Sequence, residues 1–457
     1  MKKIKNKISG LFIHPIQKVI ISFVLLITFG TLLLLLPAAT TKEIGVVDAV
    51  FTSTSAVCVT GLVVCDTAVY FTLFGKIVII LLIQLGGLGI MTFSLGLISL
   101  LGGDLSIKWR FAFEGIYSEM RKMPIKSILI RVLRYTFIIE FTSAAVLFTQ
   151  FYKEYPFLEA AGHSLFHAVS AFCNAGFSTF SNNLEGYKAN AVVNLTVGFT
   201  IILGGLGFIV MSELVRFRFK RSGFRFSRMI SQFSIHTRLV IFITVFLIIF
   251  GMASFYILEY NFILKDAGLG ESLLISFFQS VTTRTAGFNT VNIGALRQST
   301  CMIMIVLMFI GGSPGSIAGG VKTTTIGVII MLLYSRLKGR EQVLLWERAL
   351  DKETVDKSTT LGMLTLIFVG ATSFLVLIIG DFDAGYSFLS VLFEDVSAFG
   401  TVGLSMGITT ALPDLSKLVL SFVMLVGRLG PLTLITALTQ KNKDLKFEYP
   451  TEHIMIG

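Results

Sequence analysis

The chain has 457 residues, of which 54% are hydrophobic and 14% charged, with a mean hydropathy of +0.82 and a formal net charge of +11. That composition excludes a soluble enzyme and describes an all-α integral membrane protein. In chain order, apolar runs predict eight spans, at about 16–36, 76–101, 128–151, 191–214, 237–260, 300–334, 358–380 and 415–438, each of the roughly 20 residues or more that cross about 30 Å of hydrocarbon. The first run ends at Pro37 rather than at a small-residue cleavage site, so it reads as a span and not a signal peptide.

Each consecutive pair of spans encloses about 20 to 40 residues carrying a phenylalanine ten places ahead of a glycine. The pairs are Phe51 and Gly61, Phe166 and Gly176, Phe277 and Gly287, and Phe393 and Gly403, the glycines falling within SAVCVTGL, SAFCNAGFS, VTTRTAGFN and SAFGTVGLS. A second glycine cluster trails each, beginning at Gly86, Gly204, Gly311 and Gly427. A single such motif is more often helix packing; four in one register are an internal repeat. The expected unit is span, re-entrant pore helix, filter loop, span, four times around one central pore. It divides the chain into 1–105, 106–222, 223–345 and 346–440, followed by a cytosolic tail at 441–457. Glycine accepts the positive φ that aims carbonyls at a common axis, and four such loops replace the hydration shell of a monovalent cation.

Orientation follows from Lys and Arg. With the N-terminus inside, 28 of the 38 fall in cytoplasmic segments and seven outside. The filters then open outward and both termini are cytoplasmic. This also accounts for the net charge without nucleic acid: the basic loops meet lipid head groups or a cytosolic partner. The loop at 215–238, basic and interleaved with aromatics, suits either lipid anchoring or docking.

With VTGL at Val59, NAGFS at Asn174, TAGFNT at Thr285, TVGL at Thr401, GGSPGSIAGGVKTTT at Gly311 and GRLGPLTL at Gly427, nearly the whole chain resembles the Trk/Ktr/HKT superfamily of potassium transporters, and within it the KtrB and KtrD type of bacterial membrane subunit. The resemblance implies one pore per chain, homodimers in a bacterial cell membrane, potassium uptake aided by sodium, and control by a cytosolic KtrA-type ring of nucleotide-binding subunits. It implies no covalent cofactor, with potassium as the transported ion. In the family, glycine in all four strands accompanies potassium preference, and all four are glycine here.

The expected selectivity filter is Val59, Thr60 and Gly61; Asn174, Ala175 and Gly176; Thr285, Ala286 and Gly287; Thr401, Val402 and Gly403. Only TVGLSMG resembles the TVGYG strand of tetrameric potassium channels, which predicts a short ordered filter. The sixth span is 35 residues long, and its centre cannot hold a regular helix. Gly311, Gly312, Ser313, Pro314, Gly315, Ser316, Ile317, Ala318, Gly319 and Gly320 therefore form a break beneath the filter, read as a gate; the plainer reading is a packing kink.

Three cations fall at membrane depth. Lys322 follows the break and either faces it or snorkels to the cytoplasm. Arg428 stands about twelve residues, roughly 18 Å, along the last span. It is expected either to form a barrier or hold the loop through its carbonyls, or else to pair with Glu394 or Asp395. Arg284 is expected to brace filter carbonyls from behind. Cys58, Cys65, Cys173 and Cys301 lack metal-ligand spacing. No enzyme signature is present. The competing function, a carboxylate-coupled cation symporter, rests on Glu140 and Glu213.

Overall fold

Short polar segments inside an apolar chain fold stably only if longer apolar helices sheathe them. A computed structural model describes residues 15–100, 125–216, 233–346, 348–380 and 387–431 and has that inside-out arrangement. The apolar helices are α1 (Pro15–Leu34), α4 (Leu73–Leu100), α5 (Ile125–Phe151), α7 (Ala191–Leu206), α9 (Ile235–Glu259), α11 (Gln298–Phe309), α12 (Thr323–Leu337), α13 (Lys352–Ile379) and α15 (Asp414–Leu429). Their outer faces expose large apolar groups such as Phe29, Phe141, Phe246, Ile367 and Phe374. Four helices lie within: α2 (Val46–Cys58), α6 (Phe157–Phe172), α10 (Leu269–Thr282) and α14 (Phe388–Gly400). In α14 the buried run from Ser390 to Gly400 is broken only by Leu392 and takes in Glu394 and Asp395. Remaining short elements are α3 (Thr67–Tyr70), α8 (Phe208–Arg216) and a hairpin of β1 (Leu344–Leu345) with β2 (Arg348–Ala349). The hairpin and two isolated bridges, Thr40 with Phe71 and Ile310 with Val321, depart from the all-α expectation among the described residues.

Among the described residues, Ile130–Phe151, Ile235–Glu259 and Lys352–Ile379 are each long and apolar enough to cross a membrane. The expected span at 191–214 is corrected: α7 and α8 meet at a 104° bend. Its cause is Gly207, at φ +89°, where a Cβ would stand 2.8 Å from the Pro314 carbonyl oxygen. The Phe208 amide freed by the bend donates to the Gly315 carbonyl at 3.1 Å. The expected break in 300–334 is present between α11 and α12. Residues 101–124, most of the expected basic loop at 215–238, the end of the expected last span and the expected tail at 441–457 lie outside the described residues.

One packing relation recurs around the molecule. Each inner helix lies against the helix before it, and against the outer helix of the preceding unit: α6 on α4, α10 on α7, α14 on α11 and, closing the circle, α2 on α15. The last contact carries a buried cation, with Lys417 on α15 donating to Asp48 in the first turn of α2 at 2.7 Å. Three trailing glycines permit close approach. A Cβ on Gly86, Gly204 or Gly427 would overlap the carbonyl of Val57, Phe172 or Phe399, each four residues ahead of a filter-loop glycine. In the third unit Gly311 meets Gly319 of its own loop instead.

Candidate functional site

The C-terminal ends of the four inner helices run into loops that meet at one place. A Cβ on Gly61 would strike the Ala175 carbonyl oxygen and stand 3.1 Å from the Gly176 Cα. The same probe on Gly176 meets the Ala286 oxygen at 2.8 Å and the Gly287 Cα at 2.8 Å. On Gly287 it meets the Val402 oxygen and, at 3.2 Å, the Gly403 Cα; on Gly403 it meets the Thr60 oxygen and, at 2.9 Å, the Gly61 Cα. The four loops thus form a closed ring in chain order, each glycine backed by the preceding carbonyl of the next loop. No side chain fits between them.

Backbone geometry repeats with equal regularity. The glycines have φ of +93°, +70°, +75° and +92°. Two residues earlier, Val59, Asn174, Thr285 and Thr401 have φ of 58°, 57°, 68° and 49°. The sequence gives no sign of this second position, since three of the four are β-branched and disfavour the left-handed region at a cost of about 1–3 kcal/mol each. Hydrogen bonds from behind hold it. The Thr60, Ala175 and Val402 amides donate to the Ser55, Ser170 and Ser397 carbonyls at 2.8, 2.7 and 2.8 Å, and Ala286 to Thr282 at 3.0 Å. In a trans peptide each carbonyl lies opposite the next residue's N–H; the Gly61 and Gly403 amides donate backward to the Ser55 and Ser397 hydroxyls, and the carbonyls of Thr60, Ala175, Ala286 and Val402 lie at the ring against the glycines of the adjoining loops. Among the described residues none of those four carbonyls accepts a hydrogen bond. Four unsatisfied oxygens around one axis, at the negative ends of four helices, suit a dehydrated cation.

Arg284 is corrected. Its guanidinium donates to the Thr244 carbonyl of α9 at 3.4 Å and not to a filter carbonyl, because the side chain leaves the helix end away from the ring. Glu394 and Asp395 also brace. Glu394 accepts from Ser405, from the Met406 amide at 3.1 Å and from Thr409 at 2.9 Å; Asp395 accepts from Thr372 and Ser373 on α13 at 2.8 and 2.7 Å. Neither pairs with Arg428.

The Gly311–Gly320 segment packs against the ring's fourth loop. A Cβ on Gly319 would collide with the Thr401 side chain, and one on Gly320 would stand 3.3 Å from the Gly400 Cα. Its ends are pinned by Gly311 N–H to Val321 at 2.9 Å and Thr323 N–H to Gly312 at 3.1 Å, and its middle by Ser313 N–H to Gly205 at 3.0 Å. Arg428, 6% exposed, donates to the Ile317 carbonyl in the segment, to Gly86 at 2.8 Å and to Gly87 at 3.2 Å. Lys322 does not snorkel; its ammonium turns back to the Ala318 carbonyl at 2.6 Å. Both cations therefore bind loop carbonyls. Glu140 is 3% exposed and accepts from Gln84 at 3.4 Å, a link between α5 and α4; Glu213 accepts from the Ser234 amide at 3.2 Å.

The chain is similar to known cation transporters over nearly its whole length. The profile of the TrkH family, described as cation transport protein, matches residues 3–448. The chain is 35% identical to the Ktr system potassium uptake protein B of Bacillus subtilis, over 97% of each chain. It is 33% identical to the protein of that name from Vibrio alginolyticus, over 96% of this chain and 94% of the relative. With the potassium/sodium uptake protein NtpJ of Enterococcus hirae it shares 31% identity, over 100% and 99%. The crystal structure of the potassium transporter TrkH from Vibrio parahaemolyticus superposes with a TM-score of 0.70 at 21% identity, covering 92% of this chain and 84% of that one, which shows a shared fold.

Proposed function

The chain belongs to the TrkH family of cation transport proteins, and from that premise we propose that it is the membrane subunit of a Ktr-type potassium uptake system, conducting the ion through the glycine ring. The observation that carries the reading is the closed ring of four glycines backed by four unbonded carbonyls.

In this account the chain has eight spans in four units, the fourth and sixth broken, and Val59 to Gly61, Asn174 to Gly176, Thr285 to Gly287 and Thr401 to Gly403 form the filter. An arriving potassium ion exchanges water for the carbonyl oxygens of Thr60, Ala175, Ala286 and Val402, and the four helix ends offset its charge in the dry interior. Gly311 to Gly320 obstruct the path beyond the ring. Arg428 and Lys322 hold that obstruction by its carbonyls, and each places a fixed positive charge beside the exit. Opening requires those hydrogen bonds to part, which a cytosolic nucleotide-binding ring on a homodimer would drive. Sodium stimulation fits the potassium/sodium name of NtpJ. The burial of Glu140 against Gln84 favours a helix-pairing role over proton coupling.

The test is potassium uptake by the intact chain, with its regulatory subunit, in a strain lacking potassium transport, beside a deletion of residues 313–316. Restored uptake that rises on deletion supports filter and gate together. Lack of uptake in a strain that inserts the protein refutes the proposal.

A further inference from the structure

The four strands are held from behind by hydroxyls in two different ways. In the first, the Ser55 hydroxyl accepts from the Gly61 amide at 3.0 Å; in the fourth, Ser397 accepts from Gly403 at 3.0 Å. In the second and third the hydroxyl is a donor to the residue after the glycine. Ser170 donates to the Phe177 carbonyl at 2.8 Å and Thr282 to the Phe288 carbonyl at 2.5 Å. Ser55, Ser170, Thr282 and Ser397 are all 0% exposed, so water does not compete for these bonds. The corresponding carbonyls of the first and fourth strands, Leu62 and Leu404, accept no hydrogen bond among the described residues.

A carbonyl points a lone pair at its donor, and here the donors sit on the helices behind the strands. The Phe177 and Phe288 carbonyls are therefore drawn away from the ring. We propose that the Ser170 and Thr282 hydroxyls are specificity-determining positioning groups that end the cation-coordinating filter at the glycine. Beyond it they leave two free carbonyls, Leu62 and Leu404, where a further ring would need four. The inference rests on the reading of these strands as a potassium filter and explains why that filter is short. Removing either hydroxyl leaves a buried carbonyl with no donor, and a dehydrated cation on the axis becomes its partner.

The experiment uses the purified full chain in proteoliposomes, with Ser170→Ala, Thr282→Val and the double variant set against Ser55→Ala and Ser397→Ala. Half-saturating potassium, maximal rate and the potassium-to-sodium uptake ratio are read separately. Losing Ser170 or Thr282 as a donor is expected to lower half-saturating potassium and raise the uptake ratio about fivefold each, the factor one typical hydrogen bond is worth. Ser55→Ala and Ser397→Ala, which leave a buried glycine amide unpaired, shift both quantities the opposite way. Ser170→Thr and Thr282→Ser, which keep the hydroxyl, restore the intact values. Unchanged half-saturation and ratio in the double variant, or a shift in the same direction as Ser55→Ala, overturns the proposal. If the alanine variants fail to accumulate, Thr282→Val decides alone, since it keeps the side-chain shape. An intact chain that takes up no potassium defeats the functional reading itself, a result distinct from either.

Discussion

Substituting serine at Gly61 perturbs the ring in two ways that the structure separates. The residue has φ +93°, and a Cβ there would run into the Ala175 carbonyl oxygen of the next strand. The left-handed backbone alone costs a non-glycine residue roughly 1–2 kcal/mol. The collision must then be relieved by moving the Ala175 carbonyl, one of the four oxygens assigned to the ion, because the Ala175 amide is fixed to Ser170 at 2.7 Å. Losing one charge-assisted ligand of that kind is worth roughly 1.5–3 kcal/mol, which corresponds to a drop of about tenfold to a hundredfold in preference for the ion that fits the intact ring. The assay is the ratio of potassium to sodium uptake in proteoliposomes, at matched amounts of inserted protein. Gly162→Ala is the control: that glycine lies on α6 with nothing within 4 Å of an added Cβ, so the ratio stays at the intact value. An unchanged ratio in well-inserted Gly61→Ser protein would refute the claim that the Ala175 carbonyl coordinates the ion.

Other substitutions test the surroundings of the ring. Arg428→Gln removes the cation that holds Ile317, Gly86 and Gly87, and is expected to raise maximal potassium uptake with half-saturation unchanged; a fall in uptake by inserted protein would contradict the gate assignment. Asp48→Leu removes the 2.7 Å acceptor of the largely buried Lys417 and leaves only Asp414 at 3.7 Å, a loss of roughly 1.5–3 kcal/mol that should lower the thermal midpoint in detergent. Glu140→Gln keeps the α5 to α4 contact through Gln84 and should leave the pH profile of uptake as it is, whereas a flattened profile would restore the carboxylate-coupled reading.

What was legible in the sequence depended on repetition. Gly61, Gly176, Gly287 and Gly403 could be matched because four units carry them, and the ring they form brings together all the expected filter residues. The left-handed residues two places earlier were hidden, since Val59, Thr285 and Thr401 are poor choices for that backbone and only the bonds behind them explain it. The bend at Gly207 was hidden for a different reason. The letters GGLG occur at both 86–89 and 204–207, yet the first stays inside α4 while the second breaks. The difference is tertiary: the Gly315 carbonyl of the third unit's loop is in place to take the Phe208 amide. Arg284 was misplaced because its spacing gave its position on the helix end but not the direction of its side chain.

If the four glycine strands are the ion path, ions that mimic potassium should occupy their axis. The most direct measurement is a structure of the full chain determined in rubidium or thallium, electron-rich ions that substitute for potassium. Density is expected on the axis of the ring, within coordination distance of the Thr60, Ala175, Ala286 and Val402 carbonyls and ending near the level of the four glycines. An axis without ions, with density elsewhere in the membrane region, would contradict it.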